Sequence, residues 1–414
     1  MIYLFLQLVL RAATSMSAAS KVLKVLSPFL PFDGMPTDDC GQLWILRIGL
    51  YEITRPKEYT TDRVWIVDHT VQIGTTKCLL IVSVRLSLWQ KTGGPLAHQD
   101  LEVLALEPVE HSDGKRVCEQ LEAKAAEVGE PRAILSDEGS DIKRGIEDFQ
   151  KDRPETVGIY DIAHKVAILA KRELTADSAW GEYLQQIGQT KQRLQQTPLA
   201  FLIPPSPKNK ARYMNLEPLV NWGTNTLSYL DNPRPVGGKP VDKRQLRNKL
   251  GWLLKHRSDL ARWHTMTRVI AATLEYIRKE GYHQHATQEL GGTLKPFRTD
   301  PQNSRLISGI LIFVKEQSAV AREGEHLIGS SECIESLIGK GKRMEGQQSK
   351  SGFTRMVLAM ASAVVDPTVD YLKDALENVK TSDVLQWCRD KLGVSVQSQR
   401  RRAFASPKCG TDPG

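Results

Sequence analysis

Residues 64–74 read VWIVDHTVQIG, and here the chain changes period: four apolar residues in a row, three of them β-branched and one aromatic, end abruptly on Asp68. Such residues suit a pleated, buried strand. The turn Gly74-Thr75-Thr76-Lys77 follows, then two more β-rich runs, CLLIVSVRLSLW at 78–89 and DLEVLALEPV at 100–109. Two hairpins are expected to make these three strands antiparallel. An acid at the end of such a run is costly unless something pairs with it, which makes Asp68 a residue to account for.

Further along, strand-like runs alternate with helical patterns. A helix is expected over 114–128, the apolar run AILSD at 133–137, a helix over 141–150, the run TVGIYD at 156–161 and a helix over 162–173. Alternation of this kind implies parallel crossovers. The order β-β-β-α-β-α-β-α is that of a ribonuclease H-like fold, an α/β architecture whose mixed five-stranded sheet carries helices on both faces. In that topology the first and fourth strands are neighbours. Asp68 and Asp137 would then face one crevice from adjacent strand ends.

Upstream, residues 1–58 read as a small helical region. It comprises an apolar helix to Arg11, a second through SAASKVLKVL at 17–26, and a third capped by Thr37. This outlines a helix-turn-helix, and equally a plain helical cap on the next domain. The opening MIYLFLQLVL is short of the roughly 20 residues a membrane span needs and has no basic residue before it, so it reads as a buried helix, with a signal peptide as the alternative. No membrane association is expected.

Downstream, residues 59–174 form the first part of the core, and 175–325 break the alternation as an all-helical insertion, basic on one face. Its helical stretches are separated by LIPPSPKNK and NPRPVGGKP. Residues 326–392 resume the core with further helices, and 393–414 form a basic disordered tail. Within the insertion, His283-Gln284-His285 reads as a loop and Gly291-Gly292 as a turn. Trp222, Trp252 and Trp263 suit helix packing better than stacking on a flipped base.

Composition narrows the function. A net charge of +8 with a pI near 9.0, reached with 56 Lys and Arg against 48 Asp and Glu, suits a polyanionic partner. The six cysteines lie far apart with no CxxC pair, which argues against a zinc site or a disulfide framework and for a reducing cytoplasm.

Hard carboxylate oxygens on neighbouring strands are the donors magnesium or manganese prefers, and two such ions about 4 Å apart can activate water and steady a leaving oxygen at a phosphodiester. A third acid should come from the helix after the insertion. Glu332 and Glu335 are candidates on one helix face, and Lys340, Lys342 and Arg343 follow them as a basic run able to grip phosphate. Taken singly, Asp137 could cap a helix, Asp68 could close a turn, and Glu335 with Lys342 could be a solvated face.

Four pieces in this order, VWIVDHT, ILSDEGSDIKRGI, IYDIAHK and IGSSECIESLIGKGKRM, resemble the DDE transposases of bacterial insertion sequences over roughly residues 60–360. The resemblance implies a catalytic triad of Asp68, Asp137 and Glu335 holding two Mg2+ or Mn2+ ions. Glu335 is best matched to a Gly-Ser-x-x-x-Glu-Ser helix start through Ser331-x-x-x-Glu335-Ser336, with Gly329 one residue further back than the pattern places it and Glu332 the alternative. It also implies a pocket-shaping or DNA-contacting role for Asp161 and His164, which match an Asp-x-x-His pattern; a helix cap and a surface residue explain the same pair. Its implied partners are transposon inverted repeats, target DNA and a second copy of the chain, in a cytoplasmic, nucleoid-associated setting. Glu335-x6-Lys342 fits the Tyr-x2-Arg-x3-Glu-x6-Lys pattern of one group, but Ser331 and Ile328 stand at its Arg and Tyr positions, so that group's hairpin excision is not implied. A non-catalytic or domesticated DNA-binding derivative and another ribonuclease H-like nuclease are the rival readings.

Overall fold

The computed structural model describes residues 1–32, 34–73, 76–207, 216–236, 240–345, 355–392 and 403–404; side chains within 70–76 and those of 345 and 355 are not described. Except for residues 403 and 404, the expected basic tail 393–414 lies outside the described residues. The chain divides into two compact units, one of residues 1–159 with 331–414, the other of residues 160–330. The second part of the core was expected to begin at 326 and the insertion at 175. The division instead falls after Ile159 and after Ser330, so the helix that follows the last strand groups with the helical unit.

In the first unit, α1 (Ile2–Leu10), α2 (Met16–Leu26) and α3 (Asp38–Thr54) precede β1 (Arg63–Ile73) and β2 (Thr76–Arg85). Then come α4 (Leu86–Thr92), β3 (Glu102–Val109), α5 (Gly114–Val128), β4 (Ala133–Ser136), α6 (Ser140–Gln150) and β5 (Val157–Tyr160). The strands form one mixed sheet in the order β3-β2-β1-β4-β5, with β1 antiparallel to β2, β2 antiparallel to β3 and β1 parallel to β4. This is the ribonuclease H-like arrangement expected from the sequence.

The central strands are apolar because water reaches neither side. Val64, Trp65, Ile66 and Val67 of β1 and all four residues of β4 are buried. Each fully buried aliphatic side chain of this kind contributes about 1.5–3 kcal/mol. Trp65, Val67, Leu79, Ile81 and Ile134 pack with Val117 and Leu121 of α5 and Ile142, Ile146 and Phe149 of α6, which defines one face of the sheet. Because successive strand residues alternate, Val64, Ile66 and Asp68 face the other layer.

That other layer is built from α3 with the helices that close the unit after residue 330. Those are α14 (Glu332–Glu345), α15 (Leu358–Ser362), α16 (Val369–Asn378) and α17 (Thr381–Leu392), numbered after the seven helices of the second unit. α14 packs on β1 and α15, while α3 packs on β3, α15, α16 and α17. Two glycines permit this closeness: a Cβ at Gly49 would stand 2.0 Å from the Leu358 carbonyl oxygen, and one at Gly341 would stand 2.2 Å from Met360 Cγ.

Two expectations change. The run 78–89 is not one strand. β2 stops at Arg85, where Asp62 accepts from the Ser87 N–H at 3.0 Å and from Ser87 Oγ at 2.5 Å and draws the chain off the sheet. Beyond that point Leu86 and Trp89 are buried while Leu88 is exposed, a helical spacing rather than alternation. Nor does α3 have the free face of a recognition helix. Thr37 caps it as expected, accepting from the Cys40 N–H at 3.2 Å, but Ile45, Leu46, Ile48 and Leu50 are buried, and Arg47 donates to the Val379 and Leu376 carbonyls near the end of α16. The plain helical cap is the arrangement found. α1 is the expected buried helix, with Phe5 edge-on to Trp44 at 5.5 Å.

The second unit comprises α7 (Ile162–Thr175), α8 (Ser178–Leu194), α9 (Leu216–Asp231), α10 (Lys243–Leu250), α11 (Arg257–Glu280), α12 (Ala286–Leu294) and α13 (Pro301–Ser318). The long α11 packs on α7, α9, α12 and α13. At the centre of this unit Tyr183 and Trp263 are fully buried, 5.1 Å apart, with Trp180, Trp252 and His256 around them. The tryptophans therefore pack helices: Trp263 Nε1 donates to Asp177 at 2.9 Å, Trp252 Nε1 to Thr190 at 2.9 Å and Trp222 Nε1 to the Leu202 carbonyl at 3.0 Å. Gly291 and Gly292 are not a turn but part of α12. His283, in the expected loop, is buried and stacks on His326 at 4.3 Å.

Among the described residues no helix is long and apolar enough to cross a membrane, and no disulfide joins two of the described cysteines.

Candidate active site at the end of the β1–β4 pair

The parallel pair carries the site. Its register couples Val64 with Ala133 and ends with Val67 opposite Ser136. Asp68 and Asp137 are the next residue along from each strand's last paired position, so the register brings them to corresponding places at the end of the pair. Val67 belongs to the face that packs on α5 and α6, so residues one step on turn toward the layer that holds α14. Both carboxylates are half-buried.

Each acid is engaged by nearby backbone. Asp68 Oδ1 accepts from the His69 N–H at 2.7 Å, and Asp137 Oδ1 from the Gly139 N–H at 3.0 Å. The second contact is a turn spanning two residues. Asp137 is therefore not the cap of α6, whose N-cap position is Gly139.

Glu335 lies in the first turn of α14, as does Glu332, and both are half-buried. The helix is anchored by Ile334 and Leu337, both fully buried. Among the described residues no three His, Cys, Asp or Glu side chains converge as a ready-made metal cage. The structure thus brings Asp68 and Asp137 to level strand ends and sets Glu335 on the helix packed against β1, without gathering the three around one point.

A second cluster lies beside these acids, and sequence reading had not drawn it together. Lys77 Nζ donates to Asp141 Oδ2 at 2.7 Å, His69 Nε2 is 3.8 Å from the same oxygen, and Ser112 Oγ is 3.1 Å from His69 Nε2. Burial tends to raise the Asp141 carboxyl, but the hydrogen bonds from Lys77 and Ser112 outweigh it and hold the group below the ordinary carboxylate range. Burial lowers His69, against the opposing pull of Asp141. The sequence signal was only that His69 follows Asp68 and Asp141 opens the helix after Asp137; Lys77 and Ser112 join by strand register and loop position.

The basic run divides by exposure. Lys342 and Arg343 are exposed, whereas Lys340 is half-buried and donates to the Ala363 carbonyl at 3.2 Å. Asp161 and His164 belong to the other unit. There Asp161 is buried and caps α7, accepting from the His164 N–H at 2.6 Å, so the capping explanation describes Asp161; His164 is half-buried.

No protein-family model matches this chain, and neither does any curated protein.

Proposed function

We propose that this chain is a DNA transposase of the DDE type, cutting phosphodiester bonds at transposon ends and joining the freed 3′-hydroxyl to target DNA. One observation supports the reading most: the β1–β4 register sets Asp68 and Asp137 level, on the side of the sheet where α14 carries Glu335. Carboxylates at such positions are the hard oxygen donors that Mg2+ or Mn2+ takes. In this reading Asp68, Asp137 and Glu335 hold two ions, which when bound supply Lewis acidity and an activated water. The chain's own part is positional. The Asp137 turn and the Lys77–Asp141 pair fix the second acid, Ile334 and Leu337 fix the helix bearing the third, and Lys340, Lys342 and Arg343 hold backbone phosphates. His164 contacts DNA from the helical unit. The partners are inverted repeats, target DNA and a second copy of the chain when two ends are synapsed, and the setting is the cytoplasm, at the nucleoid.

Glu335→Gln keeps the side chain's shape and removes the anionic ligand. It should abolish cleavage of a transposon-end duplex while leaving its binding intact. Glu332→Gln, at the opening of the helix where an acid meets exposed amides, should cost at most about 1 kcal/mol of stability. If instead Glu335→Gln still cuts and Glu332→Gln does not, the two exchange roles. If both variants cut normally, the chain is another kind of nuclease, and if the parent chain never cuts while it binds DNA, it is a non-catalytic derivative.

A further inference from the structure

Ser336, Lys340 and Arg343 stand at i, i+4 and i+7 on α14 and so share one helix face. Facing them is the 3₁₀ turn at His98–Asp100, whose His98 Nε2 lies 3.1 Å from Ser336 Oγ. The next residue, Gln99, accepts from Arg11 Nη1 at 3.2 Å at the end of α1. Four basic groups thus converge from three segments that are far apart in sequence.

This gathering is costly in the isolated chain. Lys340 is half-buried, and burial together with the fields of Arg11 and Arg343 pushes its ammonium below the ordinary range. Burial, Lys340 and Arg343 do the same to His98. Among the described residues the carboxylate paired with the group is Asp366, which is exposed and held by Arg11. A merely solvated face would spread its like charges apart, whereas this fold gathers them and partly removes their water. An oxyanion placed among them relieves the repulsion and uses the free donors.

We infer that Arg11, His98, Lys340 and Arg343 form a single seat for one backbone phosphate of DNA. Lys340 lies five residues beyond Glu335, about 7.5 Å along the helix axis at 1.5 Å per residue. A phosphate seated there fixes the register of the strand that passes the acids. The inference rests on DNA being the substrate, but not on cleavage.

The test is a salt titration of duplex binding, read by fluorescence anisotropy, for the parent chain and for H98Q, K340Q and the double variant. Each phosphate neutralised contributes about 0.9 to the slope of log K against log salt. One shared seat predicts that each single variant lowers the slope by up to about one and that the double variant lowers it no further. Slopes that fall additively, or do not fall, overturn the shared seat. His98→Lys, which supplies a permanent cation where the bound phosphate would draw a proton onto the ring, should restore the slope lost in H98Q, and the melting curves of all variants check that they are folded. In a second arm, inorganic pyrophosphate is added at constant ionic strength. Tighter binding of pyrophosphate than of duplex would make the seat one for a free anion and overturn the DNA assignment. Should the slopes behave as stated while Glu335→Gln and Glu332→Gln both still cut, the seat stands and the transposase reading falls.

Discussion

The two units use their charged residues differently. At the end of the β1–β4 pair, Asp68 and Asp137 are half-buried at level positions and are engaged by the adjacent backbone, with a lysine, a histidine and a serine close by. In the helical unit the charges are fixed to packing. Asp177 accepts from the Ala179 N–H, from Arg262 at 2.8 Å and from Trp263 Nε1 at 2.9 Å, and Glu173 pairs with Arg305 at 2.9 Å. One region sets acids at strand ends beside a lysine, a histidine and a serine, and the other uses Asp177 and Glu173 to hold helices together. The first pattern is the one chemistry requires, and the second belongs to a scaffold.

The largest separation between the units should come from Asp137→Asn. If the carboxylate is a metal ligand worth several kcal/mol in the transition state, cleavage should fall by about a thousandfold, at about 1.4 kcal/mol per tenfold. Duplex affinity and unfolding midpoint should stay close to the parent's. A large loss of stability would mean that Asp137 serves the fold, and the contrast would collapse.

Trp263→Ala should act in the opposite sense. Removing a fully buried indole from the aromatic cluster should cost about 3–5 kcal/mol in urea unfolding. At temperatures where the variant is still folded, cleavage per folded molecule should be nearly unchanged. Lost cleavage in a stable variant would bring the helical unit into the chemistry.

A smaller effect is expected from pH. Burial, then the neighbouring His326, holds His283 below its ordinary value of 6.5. The folded state therefore favours the neutral ring, so its contribution is fully present above about pH 6.5 and is lost as pH falls through the lowered folded-state value. Acid melts of the helical unit should show this loss, and His283→Gln should flatten it. An unchanged acid limb in the variant would assign the sensitivity to another group.

Much of the first unit could be read from sequence because buried strands leave a continuous apolar record. VWIV and AILS are such runs, and each ends on the acid that follows it. The helix caps Thr37 and Asp161 were likewise local signals that the fold kept. What was misread depended on distant partners. Leu86 and Trp89 look like strand until Asp62, more than twenty residues earlier in sequence, binds Ser87 and turns the chain. Gly291-Gly292 looks like a turn until α12 carries both through. Of the candidate site, the acids and the basic run were visible as motifs. The Lys77–Asp141–His69–Ser112 cluster and the approach of Arg11 and His98 to α14 were not, because each is made by tertiary placement of residues with no mutual spacing signal.

The central claim is that Asp68, Asp137 and Glu335 together hold divalent ions on the DNA-bound protein. It is tested most directly by counting bound Mn2+ from the loss of the free-ion electron paramagnetic resonance signal, with duplex present, for the parent chain and for Asp68→Asn, Asp137→Asn and Glu335→Gln. The account predicts two ions bound by the parent and weakened binding in all three variants, with DNA affinity retained. Parent and variants binding the same number of ions with the same affinity would contradict it.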